Sequence, residues 1–326
     1  MKFRLSFLAL LALAFALSTG SAQAVVHKQY SKAKASKSVK SAKASKVAKS
    51  KKHGHKKVTA KAPKADALSF ADVSSGKLKL QSSAVVVQDQ SSGTVLFEKN
   101  SEAVLPIASI TKVMTAMVAL DAHPDLKEEL NIADADVDNL KRSTSHVPVG
   151  THLNREMMLR LALMSSENRA AHTLARHYPG GTEAFVQAMN QKARELGLKD
   201  TRFQDPTGLN AGNVSSARDL AKMVAAASTY PLIREFTTTA EYQVPLGRHQ
   251  RTFHNTNALV RGGTWEIGVS KTGYINESGK CLVMQAWFNN KPTIIVLLDS
   301  WGKLTRIGDA NRIKKWVEAN GGQVQG

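Results

Sequence analysis

Cysteine is almost absent from this chain of 326 residues: Cys281 stands alone. One thiol cannot close an internal disulfide, so any core must hold by packing alone. No His-Glu-x-x-His occurs, the helical spacing that sets two imidazoles and a general base around zinc. His53 and His55 lie in low-complexity sequence, so neither a metal nor another cofactor is expected. After Leu17 no apolar run approaches the roughly 20 residues of a membrane span, and from His27 to Lys64 there is no acidic residue at all.

What is present at the N-terminus sets the compartment. Lys2 and Arg4 precede an apolar run, Leu5 to Leu17, which small residues carry to Ala22-Gln23-Ala24. A basic start, a short apolar stretch and an Ala-x-Ala exit read as a signal peptide over residues 1–24, cleaved near Ala24, and hence as export to the periplasm. Residues 25–64 form a second zone, rich in Lys, Ala and Ser, with lysine at every third position from Lys34 to Lys52. On a helix that spacing makes no apolar face, and the like charges repel, so disorder is expected there. Of the net charge of +19, Lys2 and Arg4 account for 2 and the 14 lysines between His27 and Lys64 for another 14. Residues 65–326 therefore carry only +3 and are long enough for one self-sufficient domain.

Within that domain Ala84 to Gln90 is a β-branched run, Ser91-Ser92-Gly93 a turn, and Thr94 to Phe97 the return strand of a hairpin. Ile110–Leu120, Asn154–Met164, Arg169–His177, Thr182–Leu196 and Ser215–Ala227 have helical periodicity. Glu266–Lys271, Cys281–Phe288 and Thr293–Asp299 read as three successive strands before a helix at Leu304–Asn320. Cys281 falls in the second of these and reads as a packed strand residue, not a nucleophile. Strands at both ends around a helical middle predict an α+β domain, one antiparallel sheet with packed helices and a mostly helical subdomain.

Three short motifs carry chemistry. In Ser109-Ile110-Thr111-Lys112 the hydroxyl and amine stand at i and i+3 on a helix, where they share a face and can exchange a proton. The helix N-terminus also favours negative charge developing on the serine. Ser31/Lys34 and Ser74/Lys77 have the same spacing but lie in the basic zone and a glycine-containing turn; only Ser109 opens an apolar helix. Ser166-Glu167-Asn168 is the single Ser-x-Asn. Its hydroxyl can relay a proton to a leaving amine and its amide can hold a substrate carbonyl, although an ordinary helix cap would also account for it. Lys271-Thr272-Gly273, also unique, is expected at the end of a strand, with Lys271 and Gly273 on one face. There Lys271 supplies positive charge and Gly273 close backbone approach; a simple strand-end turn is the alternative.

Ser-x-x-Lys, Ser-x-Asn and Lys-Thr-Gly in this order, separated by 57 and 105 residues, resemble the penicillin-binding protein and serine β-lactamase superfamily. Pro106–Lys112, Asp205-Pro206-Thr207-Gly208-Leu209, Ser215–Leu220, Asn255-Thr256-Asn257 and Lys271–Tyr274 resemble more narrowly its D-alanyl-D-alanine peptidase branch. The resemblance runs from about Ala84 to Asn320. It implies the penicillin-binding, transpeptidase-like fold and an acyl-enzyme on Ser109, with Lys112 as general base and Ser166 as proton relay. It also implies an oxyanion hole from the backbone N–H groups of Ser109 and Tyr274. Asn168, Lys271, Thr272, Gly273 and Tyr274 would then bind substrate, with Asn168 on the acyl side and Lys271 and Thr272 at the carboxylate.

Ser-Glu-Asn-Arg-Ala-Ala at Ser166–Ala171, in place of the Ser-Gly-Asn-Asp-Ala common in carboxypeptidases, resembles the endopeptidase subgroup. So do the 53 residues after Gly273, too few for the extra C-terminal β-domain and amphipathic anchor usual in carboxypeptidases of this family. The expectation is a peptidoglycan cross-link endopeptidase acylated by β-lactams, with a carboxypeptidase as the alternative. A β-lactamase would need a water-activating stretch such as Glu-x-x-Leu-Asn after Asn168, which is absent. A binding-only wall protein would not need the complete motif set. Export excludes nucleic acid as the partner of residues 27–64 and leaves anionic wall polymers.

Overall fold

In a computed structural model, residues 78–302 and 304–320 are described; the signal-peptide and basic-zone readings lie outside them. Strands β1 (Ala84–Asp89), β2 (Val95–Lys99) and β3 (Leu105–Pro106) lead through a single 3₁₀ turn, Ala108–Ile110, into α1 (Thr111–Asp121). The middle of the chain holds β4 (Glu129–Asn131), β5 (His152–Asn154), α2 (Arg155–Met164), α3 (Asn168–Arg176), α4 (Gly181–Glu195), β6 (Val214–Ser215), α5 (Ala217–Ala227) and α6 (Pro231–Thr238). A hairpin of β7 (Glu241–Leu246) and β8 (His249–His254) and a short α7 (Ala258–Arg261) precede β9 (Ile267–Ile275), β10 (Gly279–Phe288), β11 (Lys291–Ser300) and α8 (Thr305–Asn320).

The main sheet has the order β2-β1-β11-β10-β9 and is antiparallel throughout. Both faces are covered, which is why its central strands read as unbroken apolar runs. On one face Val86, Val269, Cys281, Val283, Ile294 and Val296 join the core of the helical layer. On the other Val85, Val87, Leu282, Met284, Ile295 and Leu297 pack with Ala310, Ile313 and Trp316 of α8. The two ends of the domain are fastened by a buried carboxylate: Asp309 of α8 accepts from the backbone N–H groups of Gln81 and Ser82 and from the Ser82 hydroxyl. Every residue of α1 from Thr111 to Ala119 is buried, as expected of a helix apolar nearly all round. Side-chain caps start the flanking helices, Asn154 Oδ1 accepting from Met157 N (2.8 Å) and Ser216 Oγ from Asp219 N (3.2 Å).

The predicted strands and helices are all present, with shifted ends. Two expectations need correction. β9 runs on to Ile275, so Lys271-Thr272-Gly273 lies inside the strand and not at its end; the turn comes only at Asn276–Ser278. The helix predicted from Ile110 starts at Thr111, and Ser109 occupies the 3₁₀ turn before it.

Candidate active site

Ser109 owes its position to two glycines. Its neighbour Ala108 is held at φ +47°, a left-handed conformation that costs an L-residue on the order of 1–3 kcal/mol. A Cβ on Gly208, itself at φ +83°, would lie 1.9 Å from the Ala108 carbonyl oxygen, and one on Gly273 would lie 2.8 Å from the Ile107 carbonyl oxygen. The serine turn is thus packed backbone-to-backbone between the 205–209 loop and β9, and no larger residue fits either position. Ser109 N lies 3.2 Å from the Cβ position of Gly273, so strand and turn stand close enough to share one ligand atom.

Lys112 is fully buried one helical turn on, its Nζ 2.9 Å from Ser109 Oγ. The same nitrogen donates to Asn168 Oδ1 and to the Thr207 carbonyl, each at 2.7 Å. Burial drives the amine down from 10.5 to about 7, against the pull of the Asp205 and Glu167 carboxylates. A neutral amine has two hydrogens and one lone pair. Asn168 Oδ1 and the Thr207 carbonyl can only accept, so they take both hydrogens and the lone pair is left pointing at Ser109. In that form the lysine is a base and the serine hydroxyl donates to it.

The loop that presents Thr207 is tightly specified. The Asp205 carboxylate accepts from Thr207 N, the Thr207 hydroxyl, Gly208 N and Asn210 N. Asn213 bonds the loop to α1 through Thr111 Oγ1 (3.0 Å), and Thr115 Oγ1 donates to the Pro206 carbonyl (2.6 Å).

Ser166, on the connection from α2 to α3, is also left-handed, at φ +64°. Its hydroxyl accepts from Lys271 Nζ at 2.9 Å. Lys271 is buried, and burial together with the charges of Lys112 and Arg306 pushes its amine well below the ordinary lysine range. It also donates to its neighbour's carbonyl, Thr272 O. The Thr272 hydroxyl donates to Thr256 Oγ1 at 2.6 Å. Thr256 N is bonded to the last residue of α2, Met164 O, and Asn257 Nδ2 to Ser270 Oγ, so the Asn255–Asn257 stretch sews β9 to the helical layer.

The site therefore unites two hydroxyl–amine pairs, Ser109–Lys112 and Ser166–Lys271, with Asn168 and Gly273 in direct support. Tyr274 follows Gly273 on β9. Its ring is 55% exposed, lies 4.1 Å from Lys280 Nζ, and sends its hydroxyl to Asn276. Sequence reasoning assigned no role to Thr207, Asp205, Thr256 or Arg306, whose Nη1 donates to the carbonyls of Gly273 (2.9 Å) and Cys281 (3.0 Å). The Asp205–Leu209 run was visible only as part of the resemblance, and its target is a tertiary contact. Beside Asn168 and Thr207 a cavity of about 250 Å³ opens, lined also by Asn139, Leu140, His172 and Asn210.

A family model described as D-alanyl-D-alanine carboxypeptidase matches residues 71–302. A protein of Pseudomonas aeruginosa named D-alanyl-D-alanine endopeptidase is 48% identical over 248 residues, covering 76% of this chain and 79% of that protein. One of Escherichia coli with the same name is 44% identical over 259 residues, covering 79% and 84%. The crystal structure of the Streptomyces K15 DD-transpeptidase superposes with a TM-score of 0.70 at 27% identity, covering 74% of this chain and 99% of that one.

Proposed function

This chain belongs to the D-alanyl-D-alanine carboxypeptidase family of serine peptidases, and from that footing we propose that it cuts peptidoglycan cross-links as an endopeptidase through an acyl-enzyme on Ser109. The observation that carries the chemistry is the buried Lys112 amine, whose two hydrogens have fixed acceptors and whose lone pair faces Ser109. Two relatives of 48% and 44% identity bear the endopeptidase name, which favours that activity over carboxypeptidase action.

Lys112 takes the Ser109 proton as Oγ attacks the carbonyl of the D-alanyl residue, and an ester bond replaces the amide. The backbone N–H groups of Ser109 and Tyr274 receive the oxyanion. Ser166, bridged to Lys271, passes the proton to the leaving amine. One N–H of the Asn168 amide goes to Ser143; the other is left for the acyl-side carbonyl. Lys271 and Thr272 hold the carboxylate of the leaving residue, and Gly273 lets it lie close to the strand. Water then hydrolyses the ester, returning the free acid and Ser109. A β-lactam acylates Ser109 by the same attack, but its leaving amine stays tethered.

The substrate is thus peptidoglycan and the expected compartment the periplasm, reached through the signal peptide of residues 1–24. No helix among the described residues is long and apolar enough to cross a membrane. Residues 27–64 act as a tether to anionic wall polymers, a polycation gaining affinity by counterion release. Removal of residues 25–64 should weaken sacculus binding at low salt and leave penicillin labelling unchanged; equal binding would reduce the segment to a spacer. The central test uses purified muropeptides. Dimers cross-linked through D-alanine and diaminopimelate should fall to monomers. Rapid D-alanine release from monomeric pentapeptide with dimers intact would make the enzyme a carboxypeptidase.

A further inference from the structure

Asn168 supports Lys112 only if its amide faces the right way. With Oδ1 toward the amine it accepts a hydrogen; flipped, Nδ2 would compete with Ser109 for the lone pair. Lys112 alone does not settle the choice, because a neutral amine can donate or accept. The partner on the other side of the amide is Ser143, whose Oγ accepts from Asn168 Nδ2 at 2.9 Å. With an Nδ2 hydrogen on Ser143, Oδ1 is the atom left to face Lys112. Ser143 is in turn held through its backbone: the Asp138 carboxylate accepts from the N–H groups of Leu140, Lys141 and Ser143.

The segment holding Ser143 has no helix or strand of its own from Asp138 to Gly150, and α3 grips it residue by residue. Just before the helix, the buried Glu167 carboxylate accepts from Ser145 Oγ (2.6 Å) and His146 N (3.0 Å). Arg169 Nη1 donates to the Val147 carbonyl at 2.8 Å. Asn168 thus lies between two clamps, and a glycine at 167 would leave Ser145 and His146 without their acceptor.

We propose that Ser143, held through its backbone N–H by Asp138 on a segment that Glu167 clamps, is a positioning residue for acylation that fixes the amide of Asn168 and through it the lone pair of Lys112. It touches neither the substrate nor the reacting atoms. This inference rests on the reading of Lys112 as the base.

The test is acylation of the full chain by a labelled penicillin, followed from about pH 5 to 9. Ser143→Ala should lower the plateau rate by about tenfold to a hundredfold, the range a misplaced catalytic group produces. It should also move the acid limb below the wild-type position near 7, because protonated Lys112 loses a dependable acceptor. The other charged groups facing that amine, Asp205, Glu167 and Lys271, are unchanged in the variant. Ser143→Thr keeps the hydroxyl and should restore both plateau and limb. Asp138→Ala, which removes the acceptor of the Ser143 N–H, should repeat the Ser143→Ala defect. The double variant should be no worse than either single one, as members of one chain are non-additive. A wild-type rate for Ser143→Ala overturns the proposal, and so does a lowered plateau with an unmoved acid limb or additive losses in the double variant. Loss of all acylation in Lys112→Ala is expected; its absence would sink the underlying mechanism instead.

Discussion

Lys112 Nζ stands 2.9 Å from Ser109 Oγ with no surface open to water, so the ionisation of one residue governs the reactivity of the other. Burial lowers the amine from 10.5 to about 7, and only the unprotonated form can take a proton. Second-order acylation by penicillin should therefore rise with pH through about 7 and level off above it. On the acid side each pH unit should cost about tenfold. Lys112→Arg should abolish acylation at every pH, since a guanidinium stays charged. A rate independent of pH between 5 and 8 would remove Lys112 as the base.

Ser109→Ala deletes the hydroxyl that faces that lone pair. The variant should fold with an unchanged melting temperature and take up no covalent penicillin, as read by mass spectrometry of the intact protein. An adduct at full stoichiometry on another residue would contradict the assignment.

Gly208 tests the packing of the turn. Gly208→Ala places a methyl 1.9 Å from the Ala108 carbonyl oxygen at a backbone φ of +83°, a clash with rigid backbone as well as a strained conformation. It should cost roughly 3 kcal/mol in denaturant unfolding and slow acylation by displacing Ser109. Gly247→Ala is the control. That glycine also has positive φ, at +62°, but open space around it. Its loss should be about 1 kcal/mol, with acylation untouched.

The lone thiol should be silent. Cys281 is buried in β10 and its pKa is pushed up to about 11 by burial. A thiol-selective reagent should leave the native protein unmodified and penicillin labelling intact, and should react fully once the chain is unfolded. Modification in the native state at the rate of free cysteine would contradict this placement.

Much of the fold could be read from the chain because its periodicities are strong. The apolar runs of β1, β10 and β11 and the buried α1 announce elements with little ambiguity. α6 and the β7–β8 hairpin were not legible. α6 is eight residues long, and β8, His-Gln-Arg-Thr-Phe-His, has a single buried side chain, too little for a period to show. The same limit applies to the site. Ser109, Lys112, Ser166, Asn168 and Lys271 were visible because their chemistry lies in short motifs. Thr207, Ser143 and Asp138 were not. Thr207 acts through its carbonyl, an atom every residue possesses; Ser143 meets Asn168 across 25 residues, and Asp138 serves only by holding Ser143. Such roles belong to the tertiary structure and leave no local pattern.

The outermost strand, β9, has a consequence for solubility. An uncovered sheet edge is a template on which a second copy of the same protein can dock and begin an aggregate. Here the Ser109 turn sits against one face of β9, so close to Gly273 that not even a methyl group fits between them. A second copy docking along β9 would have to pass that turn, whereas a slender extended peptide needs only the narrow space beside it. The backbone that presents the reactive hydroxyl would in that way also limit growth from the edge.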